Sequence, residues 1–248
     1  MTIKVASARI DENGKISGGK SGDQTGNEVS TQNAYIWSGG WDVCIRIKNI
    51  TKRKKYIAFI KWACASPLIG YDQNQRLTLY NALKALDFDY KKLSKRVECD
   101  CSSLVACGLI VAGFTKISPS CTTRNLEQNM RSNYPNSFTF FDASYKHGNH
   151  TKSMMWWRDG DILNKRGNHV VTVVSGGRTE ASYYPKYKGT STKIDDVFKA
   201  INVPSKYIGS VTARKPIAKA NGITAYSGTL EQNLSLISMA KSGTLKKP

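Results

Sequence analysis

The run CSSLVACGLIVAG, residues 101–113, is apolar almost all the way round when drawn as a helix. A helix without a polar face must be covered on every side, so the rest of the chain has to supply enclosing layers. The flanking sequence offers two kinds. Residues 51–65 (TKRKKYIAFIKWACA) and 74–86 (NQRLTLYNALKAL) carry apolar residues at helical spacing, whereas IKVASARI and WDVCIRI are short β-like runs separated by Gly-rich turns. Downstream, ILN and HVVTVVS are β-branched runs split by Lys-Arg-Gly-Asn, which predicts a hairpin. Helices followed by strands predict an α+β domain. Residues 117–158 are polar and aromatic with weak periodicity, and no element is read there.

After Gly177 the texture changes. Residues 1–178 are expected to form the larger domain, 179–190 a Tyr/Pro/Gly-rich linker, and 191–248 a small helical module. At 248 residues the chain is long enough for that division. Helices are expected over Lys193–Ile201, Ala213–Ala220 and Leu230–Lys241. Thr229 and Gln232 fit a capping box, Gly222 and Gly243 sit where helices end, and Pro216 suits a first turn.

The charge is unusual: 37 Lys and Arg against 18 Asp and Glu give +19. Beyond residue 183 there are 11 basic and 3 acidic residues, so both parts are basic. Such a chain seeks polyanions: nucleic acid, anionic lipid or acidic wall polymers. No run of about 18 apolar residues exists to span a membrane. The N-terminus, MTIKVASARIDENG, lacks the apolar core of a signal peptide. Synthesis in a cytoplasm is therefore expected, with release by another agent if the protein acts outside. A disulfide framework is disfavoured for the same reason.

Three of the six cysteines fall in ECDCSSLVAC. Cys99-Asp-Cys101 is not a C-x₂-C knuckle and the three histidines are scattered, so no metal is expected. Cys44, Cys64 and Cys107 read as packing residues, and Cys99 is unassigned. Cys101 stands where the buried helix starts, between Asp100 and Ser102-Ser103. Helix-start amides and the macrodipole favour thiolate there and can hold an oxyanion. The plain alternative is that Asp100 or Ser102 caps the helix and Cys101 is an incidental first-turn residue. A nucleophilic cysteine needs a base. His147 and His150 lie in the polar loop SYKHGNHTKS and read as solvated, while His169 opens HVVTVVS, rigidly aimed at a strand start. Its alternative is a half-exposed strand end. Together, Cys101 and His169 have the makings of a Cys–His pair.

DCSS at 100–103, GDIL at 160–163 and HVV at 169–171 resemble the signature of NlpC-type cysteine peptidases of the papain-like superfamily. These bacterial and phage enzymes cut the peptide part of peptidoglycan. The similarity covers about residues 60–178. KVASARIDENGKISGGKSGDQTGNEV resembles the opening of lysins from phages of Gram-positive hosts. The C-terminal ANGITAYSGTLEQNLSLISMAKSGTLKKP resembles the module that ends many such lysins as a cell-wall anchor. The resemblance implies a papain-like domain with a wall-binding module: a phage endolysin that cleaves an amide bond of the stem peptide or cross-bridge, without a cofactor. It implies Cys101 as nucleophile and His169 as general base, then acid. Such enzymes orient the imidazole with a third polar residue on the next strand, but VVTVVSGGRTEAS holds no His, Asn or Gln. Glu180 is the one carboxylate near that place, and Gln24 of GDQTG is a possible amide donor. Tyr71, Asp100 and Ser102 are expected beside the substrate. A CHAP-type N-acetylmuramoyl-L-alanine amidase and a non-catalytic wall-binding protein remain alternatives. Nucleic-acid binding lacks a legible signature. The expected partners are peptidoglycan and the anionic polymers of a Gram-positive wall, to which +19 lends association rate. The tyrosines of ASYYPKYKG either stack on sugars or merely belong to a linker, and Trp156-Trp157 suit a core or cleft wall.

Overall fold

A computed structural model describes residues 2–10, 14–15, 28–142, 144–145, 149–178 and 183–248. They divide into two compact units, residues 1–178 and 179–248. In chain order the first contains β1 (Lys4–Ala8), β2 (Val29–Asn33), β3 (Val43–Ile47), α1 (Ile50–Ala65), β4 (Ile69–Tyr71), α2 (Thr78–Ala85) and β5 (Val97–Cys99). It continues with α3 (Cys101–Val111), α4 (Leu126–Asn133), β6 (Phe138–Asp142), β7 (Ile162–Lys165) and β8 (His169–Ser175). This is an α+β unit. Six strands form an antiparallel sheet in the order β2-β1-β8-β7-β3-β6, and β4 and β5 form a separate parallel pair.

The period of two along each strand divides the sheet's side chains between two cores. Ala6, Ala8, Val43, Ile45, Ile162, Val170 and Val174 join α1 and α3 in the larger one. Val5, Cys44, Leu163, Val171 and Val173 face the other, with Trp41, Phe141 and Trp157. As the all-round apolar pattern requires, α3 is buried from Cys101 through Ile110. Its closeness to α1 depends on Gly108, where a Cβ would sit 2.8 Å from the Tyr56 ring.

The Gly160-Asp161 pair of GDIL has a structural use. Gly160 adopts φ +89°, and a Cβ there would lie 2.5 Å from Arg53 Cγ. Asp161 is fully buried, accepts from Arg46 Nε at 2.7 Å and Nη2 at 2.6 Å, and accepts the Arg158 amide at 2.8 Å. The carboxylate thus ties the entry of β7 to β3.

The second unit packs α5 (Ile194–Ala200), α6 (Val211–Ala220) and α7 (Leu230–Ser242) around Phe198, Ile217 and Leu236. The capping box at Thr229 and Gln232 is formed, and Gly243 ends α7 in the left-handed region at φ +78°. Pro216 is not in a first turn: Ser210 caps α6 and the helix runs through the proline. The described part of the Tyr-rich stretch is not a free tether. Tyr184 and Tyr187 are buried in this unit's core, and their amides donate to Leu245 and Ala240 carbonyls at 2.8 and 2.9 Å. Those two rings are therefore unavailable for sugar stacking.

Several elements went unread in the sequence: β2, α4, β6 and the β4–β5 pair. Residues 74–77 are not helical, because Asp72 Oδ1 accepts the Asn74 amide at 2.6 Å and forms a turn there instead. Among the described residues no helix is long and apolar enough to cross a membrane.

Candidate functional site

The site begins where β5 turns into α3. Asp100 is extended (φ −105°, ψ −179°) and caps the helix, its Oδ1 accepting the Ser103 amide at 2.6 Å. Ser103 Oγ returns the bond by accepting the Asp100 amide at 2.9 Å. Asp100 also accepts from Ser102 Oγ at 3.0 Å and pairs with Arg76 Nε at 2.8 Å. Arg76 Nη2 donates to Ser102 Oγ at 3.2 Å and to the Cys121 carbonyl. Asp100 and Ser102, both buried, are thus committed to one another and to Arg76. They position the helix start, and both also line the cavity at Cys101.

Cys101 is the first residue of α3 and is 9% exposed. The Val170 and Ser102 amides and the Arg76 guanidinium all lie near enough to its sulfur to favour a negative charge. Burial, aided by the charge of Asp100, outweighs them and pushes the thiol up to about 12. Desolvation of the anion thus opposes the helix-start donors that favour thiolate. His169 is pushed the other way, down to about 4, by burial and then by the Arg9 guanidinium, with Asp100 opposing. The two groups are therefore held as thiol and neutral imidazole.

His169 opens β8, one residue before the amide that reaches the sulfur. Its Nε2 lies 3.3 Å from Ser7 Oγ on β1, and the Trp37 ring stands 6.1 Å from the imidazole. No hydrogen bond joins Cys101 Sγ to His169 among the described residues. Ser7 is buried and was not singled out in the sequence. Its signal is tertiary. The neighbour of β8 opposite β7 is β1, at the far end of the unit's chain, so no stretch following His169 could supply it. Gln24, Glu180 and His147 lie outside the described residues. His150 is not solvated: it is buried, with its ring stacked on Phe141 at 3.8 Å. Tyr71 is buried on β4, with its hydroxyl accepting from Gln73 Nε2 at 3.0 Å; burial raises its pKa.

A cavity of about 270 Å³ opens at Cys101, lined also by Gln73, Arg76, Thr123, Arg124 and Asn168. The six cysteines are free thiols. Cys107 is fully buried in α3, and Cys44 lies 3.5 Å from Asp161 Oδ2 in the other core. Among the described residues no cluster of His, Cys, Asp and Glu is arranged to hold a metal ion.

The family model of the endolysin-like domain matches residues 5–180. The chain belongs to the endolysin-like domain family. The matched segment includes β1 with Ser7, the helix start at Cys101, the cavity and β8 with His169. Almost all of the second unit lies outside it. Membership in the endolysin-like domain family points to a phage lysin, a hydrolase whose substrate is the peptidoglycan of the cell wall. No curated protein and no solved structure matches the chain.

Proposed function

We propose that this endolysin-like domain is a papain-like cysteine peptidase of the NlpC type, hydrolysing an amide bond in the stem peptide or cross-bridge of peptidoglycan. The observation that carries this reading is a helix-start thiol that opens on a cavity, with the backbone amide of Val170, the residue after the strand-start His169, close enough to the Cys101 sulfur to favour its anion. His169 takes the thiol proton as the sulfur attacks the carbonyl carbon. Ser7 at Nε2 leaves Nδ1 as the nitrogen that receives it. First-turn amides of α3 stabilise the oxyanion. The C–N bond then breaks, His169 protonates the leaving amine, and water, deprotonated by His169, hydrolyses the thioester and restores the thiol. Because burial favours both groups in their neutral forms, proton transfer accompanies the attack on the carbonyl.

A second reading, an N-acetylmuramoyl-L-alanine amidase of CHAP type, is favoured by one observation. Tyr35 and Trp37, both only partly buried, lie 6.4 Å apart with Trp37 beside His169, and such faces suit a sugar ring. We assign residues 1–178 to catalysis and the second unit, residues 179–248, with Tyr184 and Tyr187 of the 179–190 stretch in its core, to retention on the Gram-positive wall. The 11 basic residues beyond residue 183 support that last assignment.

Purified Gram-positive walls incubated with wild type and Cys101→Ala test the proposal. Wild type is expected to clear the suspension, the variant to lose at least about a thousandfold in rate, and mass spectrometry of the new termini to identify the bond. Equal clearing by both proteins would dispose of the thiol mechanism.

A further inference from the structure

Two arginines line the Cys101 cavity and they differ in what they do. Arg76 is committed: it pairs with Asp100 at 2.8 Å and donates to Ser102 and Cys121. Arg124 is exposed, and among the described residues no carboxylate lies within ion-pair range of it. Yet its guanidinium is not loose. It lies along the β7–β8 turn, where a Cβ on Gly167 would come within 3.4 Å of Cζ and 3.5 Å of Nε and Nη2. Gly167, at φ +76°, leaves that surface flat. Asp100 and Arg76 cancel, so the cavity carries one uncompensated positive charge, held on the wall nearest His169's strand.

We infer that Arg124 binds a free carboxylate of the substrate, on a residue adjoining the scissile amide, so that this site selects carboxylate-bearing over amidated stem peptides. This rests on the peptidase reading above and adds its substrate selectivity. The size of the cavity sets the range. At about 270 Å³ it falls just below the roughly 300–1,000 Å³ of small-molecule pockets. Cys101 and Arg124 line the same small space, and the carboxylate must belong to a neighbour of the attacked carbonyl. A planar guanidinium offers a carboxylate two parallel donors, and an amide in its place loses both the charge and one acceptor. Gln73 completes the pocket: its Nε2 is engaged by Tyr71, leaving Oε1 as an acceptor for a peptide N–H.

The test uses the full chain. Wall digestion first fixes the bond cut. Two synthetic stem peptides containing that bond are then compared, identical except that the neighbouring carboxyl is free in one and amidated in the other. Wild type is expected to favour the free acid in kcat/KM by about tenfold to a hundredfold. In Arg124→Gln that preference collapses to less than about threefold through a rise in KM for the acid, while Arg124→Lys keeps part of it. Isothermal titration of both peptides into the Cys101→Ala protein should give the same ratio in Kd. Wild type that hydrolyses walls but does not distinguish the peptides, or Arg124→Gln that keeps the full preference at unchanged melting temperature, overturns the Arg124 assignment alone. Wild type that leaves walls intact overturns the peptidase reading, and this inference with it.

Discussion

Arg46–Asp161 and Arg76–Asp100, both in the first unit, share the same chemistry and meet different fates. Arg46–Asp161 is sealed: its side chains are 10% and 0% exposed, both carboxylate oxygens are engaged by the guanidinium, and the Trp156 carbonyl takes a further bond. Arg76–Asp100 is 19% and 10% exposed and faces a cavity. The first spans β3 and the entry to β7, elements far apart in sequence. The second joins the turn before α2 to the start of α3 and sits beside the thiol. A buried ion pair gives little net stability but costs heavily when one partner is removed. The comparison therefore teaches that the sealed pair fastens the sheet, while the open one shapes the electrostatics around Cys101.

The largest effect should come from breaking the sealed pair. Asp161→Ala leaves Arg46 charged and buried without its carboxylate, and is expected to cost about 3–5 kcal/mol in chemical denaturation. A loss under about 1 kcal/mol would mean that solvent reaches Arg46 and that the pair is not sealed.

The next effect belongs to the histidine beside the open pair. His169 is held at about 4 when folded, against about 6.5 in an unfolded chain. The unfolded chain therefore takes up the proton first as pH falls. The neutral ring's contribution is fully present above about 6.5 and is lost progressively as pH drops toward 4, by about 2–3 kcal/mol. Denaturation of wild type and His169→Gln across that window should show the slope in wild type and a flatter curve in the variant. Parallel curves would place the ring in water, not in the closed site.

The smallest effect on folding, and the most informative about chemistry, is expected from Asp100→Asn. Asparagine is as good an N-cap as aspartate, so the cap survives and the stability loss is about 1 kcal/mol, from the unpaired but less buried Arg76. The charge that helps to raise the Cys101 thiol is gone, so its pKa should fall from about 12. Alkylation of Cys101 by iodoacetamide at pH 8, followed by mass spectrometry, should then be faster than in wild type by several-fold or more. An unchanged or slower rate would show that the open pair does not control the thiol.

Where the local pattern was strong, the chain could be read directly. The all-round apolar run is the buried helix α3, and the hairpin around Lys-Arg-Gly-Asn is β7–β8, with His169 at its strand start. The capping box at Thr229 also formed as its spacing required. These features depend on residues within one or two turns of each other. The aromatic middle hid α4 and β6, because β6 gains its order from pairing with β3, some ninety residues earlier in the chain, and not from any period of its own.

The site followed the same division. The sequence by itself determined that a cysteine begins an enclosed helix, that a histidine begins a strand, and that the whole chain is strongly basic, since each of these is written in adjacent residues. The tertiary structure alone decided that β1 lies against β8 and brings Ser7 to the imidazole, that Arg76 reaches Asp100 and Ser102, and that Arg124 stands over the Gly167 turn. It also decided the charge state. A helix start favours thiolate locally, but how much water is excluded from a sulfur depends on every layer folded over it, and that desolvation outweighs the few donors its neighbours in sequence can offer.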